Sequence, residues 1–136
     1  MSVTFYPKNE DKRLPANKTA YARTLKPPIQ YQKKSWGTFQ VLDLDTESMT
    51  IKITLNPECQ MCYHSHDYRN EIWVILSGSG NVIVDGLKER VTSGDVISIE
   101  AQCKHTIIAK TQMQMVEIQM GKRIDVHDKI KYKLED

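Results

Sequence analysis

The chain has 136 residues, a formal net charge of +2 from 19 basic and 17 acidic side chains, 40% hydrophobic residues and 26% charged ones. That length fits one domain with an ordinary core and leaves no room for a second catalytic domain, and the near balance of charge offers no basic field to nucleic acid or a membrane surface. No apolar run nears the roughly 20 residues that cross a bilayer, Met1 to Lys8 lack a signal-peptide core, and three cysteines make no disulfide framework, so a cytoplasmic protein is expected.

Residues 1–34 are polar, carry Pro7, Pro15, Pro27 and Pro28, and close on Lys33-Lys34, which predicts an extended N-terminal arm. Residues 35–136 are expected to form the single barrel domain. From Trp36 onward short β-patterned runs succeed one another: Gly37 to Leu42, Met49 to Leu55, Met61 to His66, Glu71 to Ser77, Asn81 to Val84, Glu89 to Thr92, Asp95 to Ile99, His105 to Ala109 and Gln114 to Gln119. Turn residues part them at Asp43-Leu44-Asp45, Asn56-Pro57, Gly78-Ser79-Gly80, Asp85-Gly86 and Ser93-Gly94. This rhythm predicts an all-β double-sheet jelly roll. A short helix over Ala20 to Leu25 or over Val126 to Ile130 is a further expectation, and no internal repeat is present.

Within these strands His64, His66, Glu71 and His105 are the most informative residues. Alternate side chains of a strand share a face, so His64 and His66 point together, and Glu71 lies across a turn at the head of the next strand. The spacing His-x-His-x4-Glu-x6-Gly ends at Gly78, and a second run opens at Gly94, with His105 eleven positions later. Three imidazoles and a carboxylate suit one divalent transition metal per chain (Zn, Mn, Fe, Ni or Co) better than Ca or Mg, which prefer oxygen ligands. A merely polar strand face would explain His64 and His66 but not Glu71, Gly78 and His105 in register. A structural zinc at Cys59-x2-Cys62 with the same histidines has the same defect. Strand parity extends the inward set to Cys62, Trp73, Ile75, Cys103 and Ile107, which predicts a metal at the base of a partly apolar pocket. His127 fits no motif and is expected at the surface.

These spacings resemble the two motifs of the cupin superfamily, whose fold is the double-stranded β-helix or jelly-roll barrel. Pro57-Glu58 stands where the first motif usually has Pro-Gly; His64, His66, Glu71 and Gly78 follow in register, and Gly94 and His105 carry the second motif. The departures are Glu58 for Gly, Glu100 for Pro, Gln102 for Gly and Ala109 for Asn, all of them bearing on turns. A narrower match, from Ser35 to Asp128, resembles the C-terminal cupin domain of type II mannose-6-phosphate isomerase, which usually sits behind a guanylyltransferase domain. Ser35-Trp36-Gly37-Thr38-Phe39-Gln40-Val41-Leu42 is similar to R-P-W-G-x-F-E-V-L, and Arg69-Asn70-Glu71-Ile72-Trp73-Val74 to R-A-E-H-W-x-V. Val116-Glu117-Ile118-Gln119-Met120-Gly121 is similar to I-E-V-Q-x-G. In Q-M-H-H-H-R-A-E the family's Gln is here His64, and Asp67 and Tyr68 replace two histidines, a change that should strengthen metal binding.

The resemblance implies aldose to ketose isomerisation of a hexose 6-phosphate, with a metal polarising the C1 and C2 oxygens and a base moving the proton through a cis-enediol. A sugar phosphate is the implied small-molecule partner. Arg69 and Lys104 are the candidates to receive its phosphate, Lys52 being better explained as a solvated face, and Trp36 is a candidate for the pocket rim. The base is open among Glu58, Glu100, Glu117, Tyr63, Tyr68 and Lys104. Three histidines and a glutamate also serve metal-dependent dioxygenases, and a small cupin can act as a non-catalytic sugar or metal sensor. A jelly roll with open sheet edges usually pairs with a twofold mate, so a homodimer is expected, with the N-terminal arm crossing over.

Overall fold

The computed structural model describes residues 31–125 and 127–134. Eleven strands build it: β1 (Tyr31–Lys34), β2 (Gly37–Leu44), β3 (Ser48–Leu55), β4 (His64–Ser65), β5 (Asn70–Ser77), β6 (Ser79–Val84), β7 (Leu87–Thr92), β8 (Val96–Ile99), β9 (His105–Ala109), β10 (Met113–Met120) and β11 (Ile130–Lys131). One antiparallel sheet runs β1-β2-β3-β10-β5-β8 and the other β11-β4-β9-β6-β7. The all-β jelly roll expected from the strand rhythm is the observed fold. Each of the nine expected runs contains a strand, although Met61 to His66 contracts to the two residues of β4.

The alternation in the sequence sets which face each strand buries. On β3, Ile51, Ile53 and Leu55 point in; on β5, Glu71, Trp73 and Ile75; on β10, Met113, Met115, Glu117 and Gln119. Cross-strand register stacks these into rungs, Ile53-Met115-Ile75 in one, Ile51-Glu117-Trp73 in the next and Met49-Gln119-Glu71 in the last. The apolar rungs, joined by Leu55, Ile107 and Ala109, form the core. Burying a side chain of that size contributes about 1.5–3 kcal/mol.

Two turns show why particular residues stand where they do. Asp85 and Gly86 both have positive φ, 47° and 81°, as a two-residue type I′ hairpin between β6 and β7 requires. Gly78 has φ +84°, and a Cβ there would lie 2.0 Å from the Gln112 carbonyl oxygen, so the β5–β6 corner admits no side chain.

Three expectations need correction or relocation. No helix occurs among the described residues; Asp128 and Lys129 are in a loop that leads into β11, while Val126 and Ala20 to Leu25 lie outside the described residues. Cys62 is exposed, because Met61 to Tyr63 are not strand residues and the parity of β4 does not reach back to them. The last four residues assigned to the arm are β1, paired with β2 from Tyr31↔Gln40 to Lys34↔Gly37. Residues 1–30 lie outside the described residues. No helix of the described residues is long and apolar enough to cross a membrane.

Candidate metal centre

β4 and β9 are neighbours, and their register sets His64 directly opposite His105. His66 follows one residue beyond β4. The three imidazoles crowd together, with ring centroids 4.7 Å (His64–His66), 4.5 Å (His64–His105) and 5.2 Å (His66–His105) apart. Each offers a ligand nitrogen, and these nitrogens lie within 4.8 Å of one another, so the three-histidine group is able to hold a metal ion.

The backbone decides which nitrogens are on offer. His64 Nδ1 is 2.6 Å from the Cys62 carbonyl, His105 Nδ1 is 2.9 Å from the Cys103 carbonyl, and His66 Nδ1 is 2.5 Å from the Asp128 carbonyl. A carbonyl oxygen only accepts, so all three rings carry a proton on Nδ1 and leave Nε2 as the acceptor, that of His66 facing an Arg69 N–H. Burial keeps His64 neutral, its pKa pushed down to about 3 by desolvation and then by the neighbouring His105. His105 is lowered too, chiefly by burial. His105 Nε2 is buried with no hydrogen-bond partner among the described residues, an orphan acceptor of the kind a metal ion satisfies.

Glu71 abuts this group from β5. Its Oε2 is 3.1 Å from His66 Nε2, and its Oε1 is 3.6 Å from His105 Nε2. Arg69 Nε donates to Oε2 at 3.0 Å, Trp73 Nε1 donates to Oε1 at 3.1 Å, and a second Arg69 nitrogen reaches His66 Nε2 at 3.1 Å. Burial raises the Glu71 pKa, but the contact with His66 and the charge of the Arg69 guanidinium outweigh it and hold the carboxyl well below the usual range. Glu71 is therefore an anion in a nearly closed site, 1% exposed.

The other residues singled out from the sequence fall in different places. Arg69 is at the centre, but its guanidinium is engaged by Glu71, His66 and, at 3.4 Å, the Asp125 carbonyl. Lys104 points away; its ammonium lies 4.4 Å over the Tyr132 ring. Trp36 packs on the core at the β1–β2 turn. Its neighbour Gly37 pairs with Leu55, and Leu55 with Met113, at the Ser77 end of β5; Glu71 is at the other end, roughly 20 Å along the strand. Among the possible bases, Glu58, Glu100, Tyr68 and Lys104 are exposed, and the Tyr63 hydroxyl accepts from Gly86 N–H. Only Glu117 enters the barrel beside Glu71, where burial and then the Glu71 charge push its pKa up to about 8. His127 is exposed.

Three supports went unrecognised at the sequence level. Asp128 accepts from the backbone N–H groups of Asp67 (2.8 Å) and Tyr68 (3.0 Å) while its carbonyl holds His66, so it clamps the turn between His66 and Glu71. Its place in the family-like ending was the one available signal. β11 pairs with β4 through Ile130↔Ser65 and Lys131↔His64 and so backs the histidine strand. Gly121 lets the end of β10 lie against that turn, since a Cβ there would stand 2.4 Å from the Tyr68 carbonyl oxygen.

Comparison with known proteins accords with this arrangement. The family described as mannose-6-phosphate isomerase C-terminal matches residues 27–136. A mannose-1-phosphate guanylyltransferase of Klebsiella pneumoniae is 28% identical over 102 residues, 74% of this chain and 22% of the relative. One of Escherichia coli K12 is 21% identical over 101 residues, 73% of this chain and 21% of the relative. The chain thus spans about a fifth of the length of the curated relatives it matches. Among solved structures, an RmlC-like cupin from Shewanella frigidimarina has a TM-score of 0.64 at 20% identity, covering 71% of this chain and 86% of that one, which establishes the cupin fold. The chain belongs to the mannose-6-phosphate isomerase C-terminal family of cupins.

Proposed function

We propose that this chain holds one divalent transition metal through His64, His66, His105 and Glu71 and interconverts the aldose and ketose forms of a hexose 6-phosphate, mannose 6-phosphate and fructose 6-phosphate being the pair its family suggests. The observation that carries the reading is the grouping itself: three buried rings, each with Nδ1 against a backbone carbonyl, bring ligand nitrogens within 4.8 Å of one another beside the Glu71 carboxylate. Bound there, a divalent transition metal would supply Lewis-acid polarisation of neighbouring sugar oxygens. The chain's own residues do the rest. Arg69 and Trp73 hold Glu71 ionised and oriented, and the four side chains are buried from bulk water.

In this reading Arg69 is the cation that fixes Glu71 rather than a free phosphate receiver, and Lys104 and Trp36 stand outside the centre. The proposal includes a cytoplasmic homodimer formed at the edge strand β1, which is paired on one side only among the described residues. Light scattering at the mass of one chain would remove the dimer from it.

The test is elemental analysis of the purified chain, followed by an anaerobic isomerase assay with the same metal restored. About one metal per chain with turnover is the expected result. Turnover of other substrates that needs Fe²⁺ and O₂, with none of mannose 6-phosphate under nitrogen, would point to a dioxygenase, which the third histidine at position 64 also suits. A bound sugar that is never converted would point to a sensing module.

A further inference from the structure

We infer that Gln119, carried by its partner Glu117, is a hydroxyl-reading subsite beside the metal centre and selects a polyhydroxylated ligand; this rests on the metal-site reading above and adds a specificity residue to it. The inward row of β10 is Met113 and Met115, then Glu117 and Gln119, so the strand turns polar where it reaches the rung of Glu71. Gln119 lies opposite Glu71, and Glu117 opposite Trp73. Both are buried, Gln119 to 3% exposure.

The fold does not account for this amide. Gln119 Nε2 donates to Glu117 Oε2 at 2.7 Å, but Gln119 Oε1 is buried and accepts from no group among the described residues. Glu71 already has Arg69 and Trp73 as donors, so the amide is not needed to orient it. A methionine would fill the same slot, as it does twice earlier on the strand, without an unpaired acceptor. The open valence therefore points to a ligand group that donates. A hydroxyl does so, and because it also accepts, it would satisfy the amide in either of its two orientations. A carbonyl or a hydrocarbon edge offers no donor. A site built to pair with a hydroxyl rejects an analogue without one far more strongly than an apolar pocket does.

The experiment uses the metal-loaded full chain, wild type and Gln119→Met, titrated calorimetrically with mannose 6-phosphate and with its 2-, 3- and 4-deoxy counterparts. Wild type should bind at least one deoxy sugar about 10–100-fold more weakly than the parent. Gln119→Met should keep its metal, lose a similar factor toward the parent, and no longer distinguish that one deoxy sugar. Parent affinity unchanged in the variant, or an equal loss toward every sugar, would overturn the assignment. If the variant fails to fold, equal wild-type affinities across the series overturn it and a graded series supports it. Turnover is read separately: binding that responds to position 119 without isomerisation sinks the isomerase reading and leaves the subsite. Wild type that binds none of the four sugars sinks both.

Discussion

Along β10 the inward residues run Met113, Met115, Glu117, Gln119, and along its neighbour β5 they run Ile75, Trp73, Glu71 in the matching order, so one end of the barrel interior is hydrocarbon and the other is polar. The same shift occurs on β9, from Ala109 and Ile107 to His105. The strand geometry is common to both ends; only the side chains differ. At the apolar end burial itself stabilises the fold. At the polar end burial costs stability unless each group finds a partner, and the two side-chain atoms left unmatched among the described residues, His105 Nε2 and Gln119 Oε1, are both there. Trp73 joins the two, packing in the core while its ring meets His105 edge-on at 5.4 Å and its N–H holds Glu71. The difference separates residues that make the barrel from residues that the barrel presents.

The sharpest way to break this contrast is a pair of single substitutions, one at each end. His105→Ala should lower metal content from about one per chain to under a tenth and remove activity, since a loss in the ligand set should exceed the 10–100-fold effect of altering a supporting residue. The metal-free variant should still unfold cooperatively, with a smaller loss of stability than at Ile75, because the lost packing and the lost bond to the Cys103 carbonyl are partly offset by removal of an unpaired buried nitrogen. Ile75→Ala should do the reverse, costing about 2–5 kcal/mol in denaturant unfolding while the folded fraction keeps its metal. Equal loss of metal in both variants would mean that the two ends are not separable.

Acid should find the polar end first. A histidine whose pKa is depressed on folding contributes stability above its unfolded value of 6.5, and that stability is lost as pH falls from there toward about 3 for His64. His105 shifts the same way. Glu117 acts oppositely: raised from 4.5 to about 8, it favours the fold at low pH and costs stability as pH climbs through that window. Between pH 6.5 and 4.5 His64 and Glu117 act in opposite directions by similar amounts and His105 adds to the histidine side, so the metal-free chain should lose stability on acidification. Glu117→Gln removes the opposing group and should steepen that loss. Urea midpoints across the window measure it, and a flat profile in both proteins would show that the histidines are not held neutral by the fold.

How much of this was legible beforehand follows from what each feature depends on. Period-two hydrophobicity and glycine-bearing turns are local, and they located nine strands and the corner at Gly78. The histidine and glutamate spacing is local within each motif, so strand parity could bring the set together. β1 and β11 are short, polar and exposed, held by backbone pairing that leaves no hydrophobic mark. Asp128 clamps a turn about 60 residues earlier in the chain, a relation that exists only once β11 has docked. On β10 the alternation was ambiguous: Val116 and Ile118 are as apolar as an inward row should be, yet it is Met115, Glu117 and Gln119 that face in. Sequence alternation finds the two faces of a strand; choosing between them took the partner strands.

The smallest effect is expected at two turns. Glu58 and Gln102 stand where the cupin motifs usually have glycine, and both keep the left-handed backbone, with φ of +63° and +72°. The turns have thus retained their shape with residues poorly suited to it, at a cost of roughly 1 kcal/mol each. Gln102 matters more to the centre, because its N–H donates to the His66 carbonyl at 2.6 Å. Gln102→Gly leaves that bond available and removes the Cβ, so it should raise the melting temperature by a few degrees with metal affinity unchanged, and Glu58→Gly should match it. Asp85, at φ +47°, is a fitting control: aspartate tolerates this conformation, so Asp85→Gly should gain less. A fall in stability at Gln102→Gly would mean that the added freedom of glycine in the unfolded chain outweighs the strain relieved, and that the turn is held by contacts of the glutamine side chain.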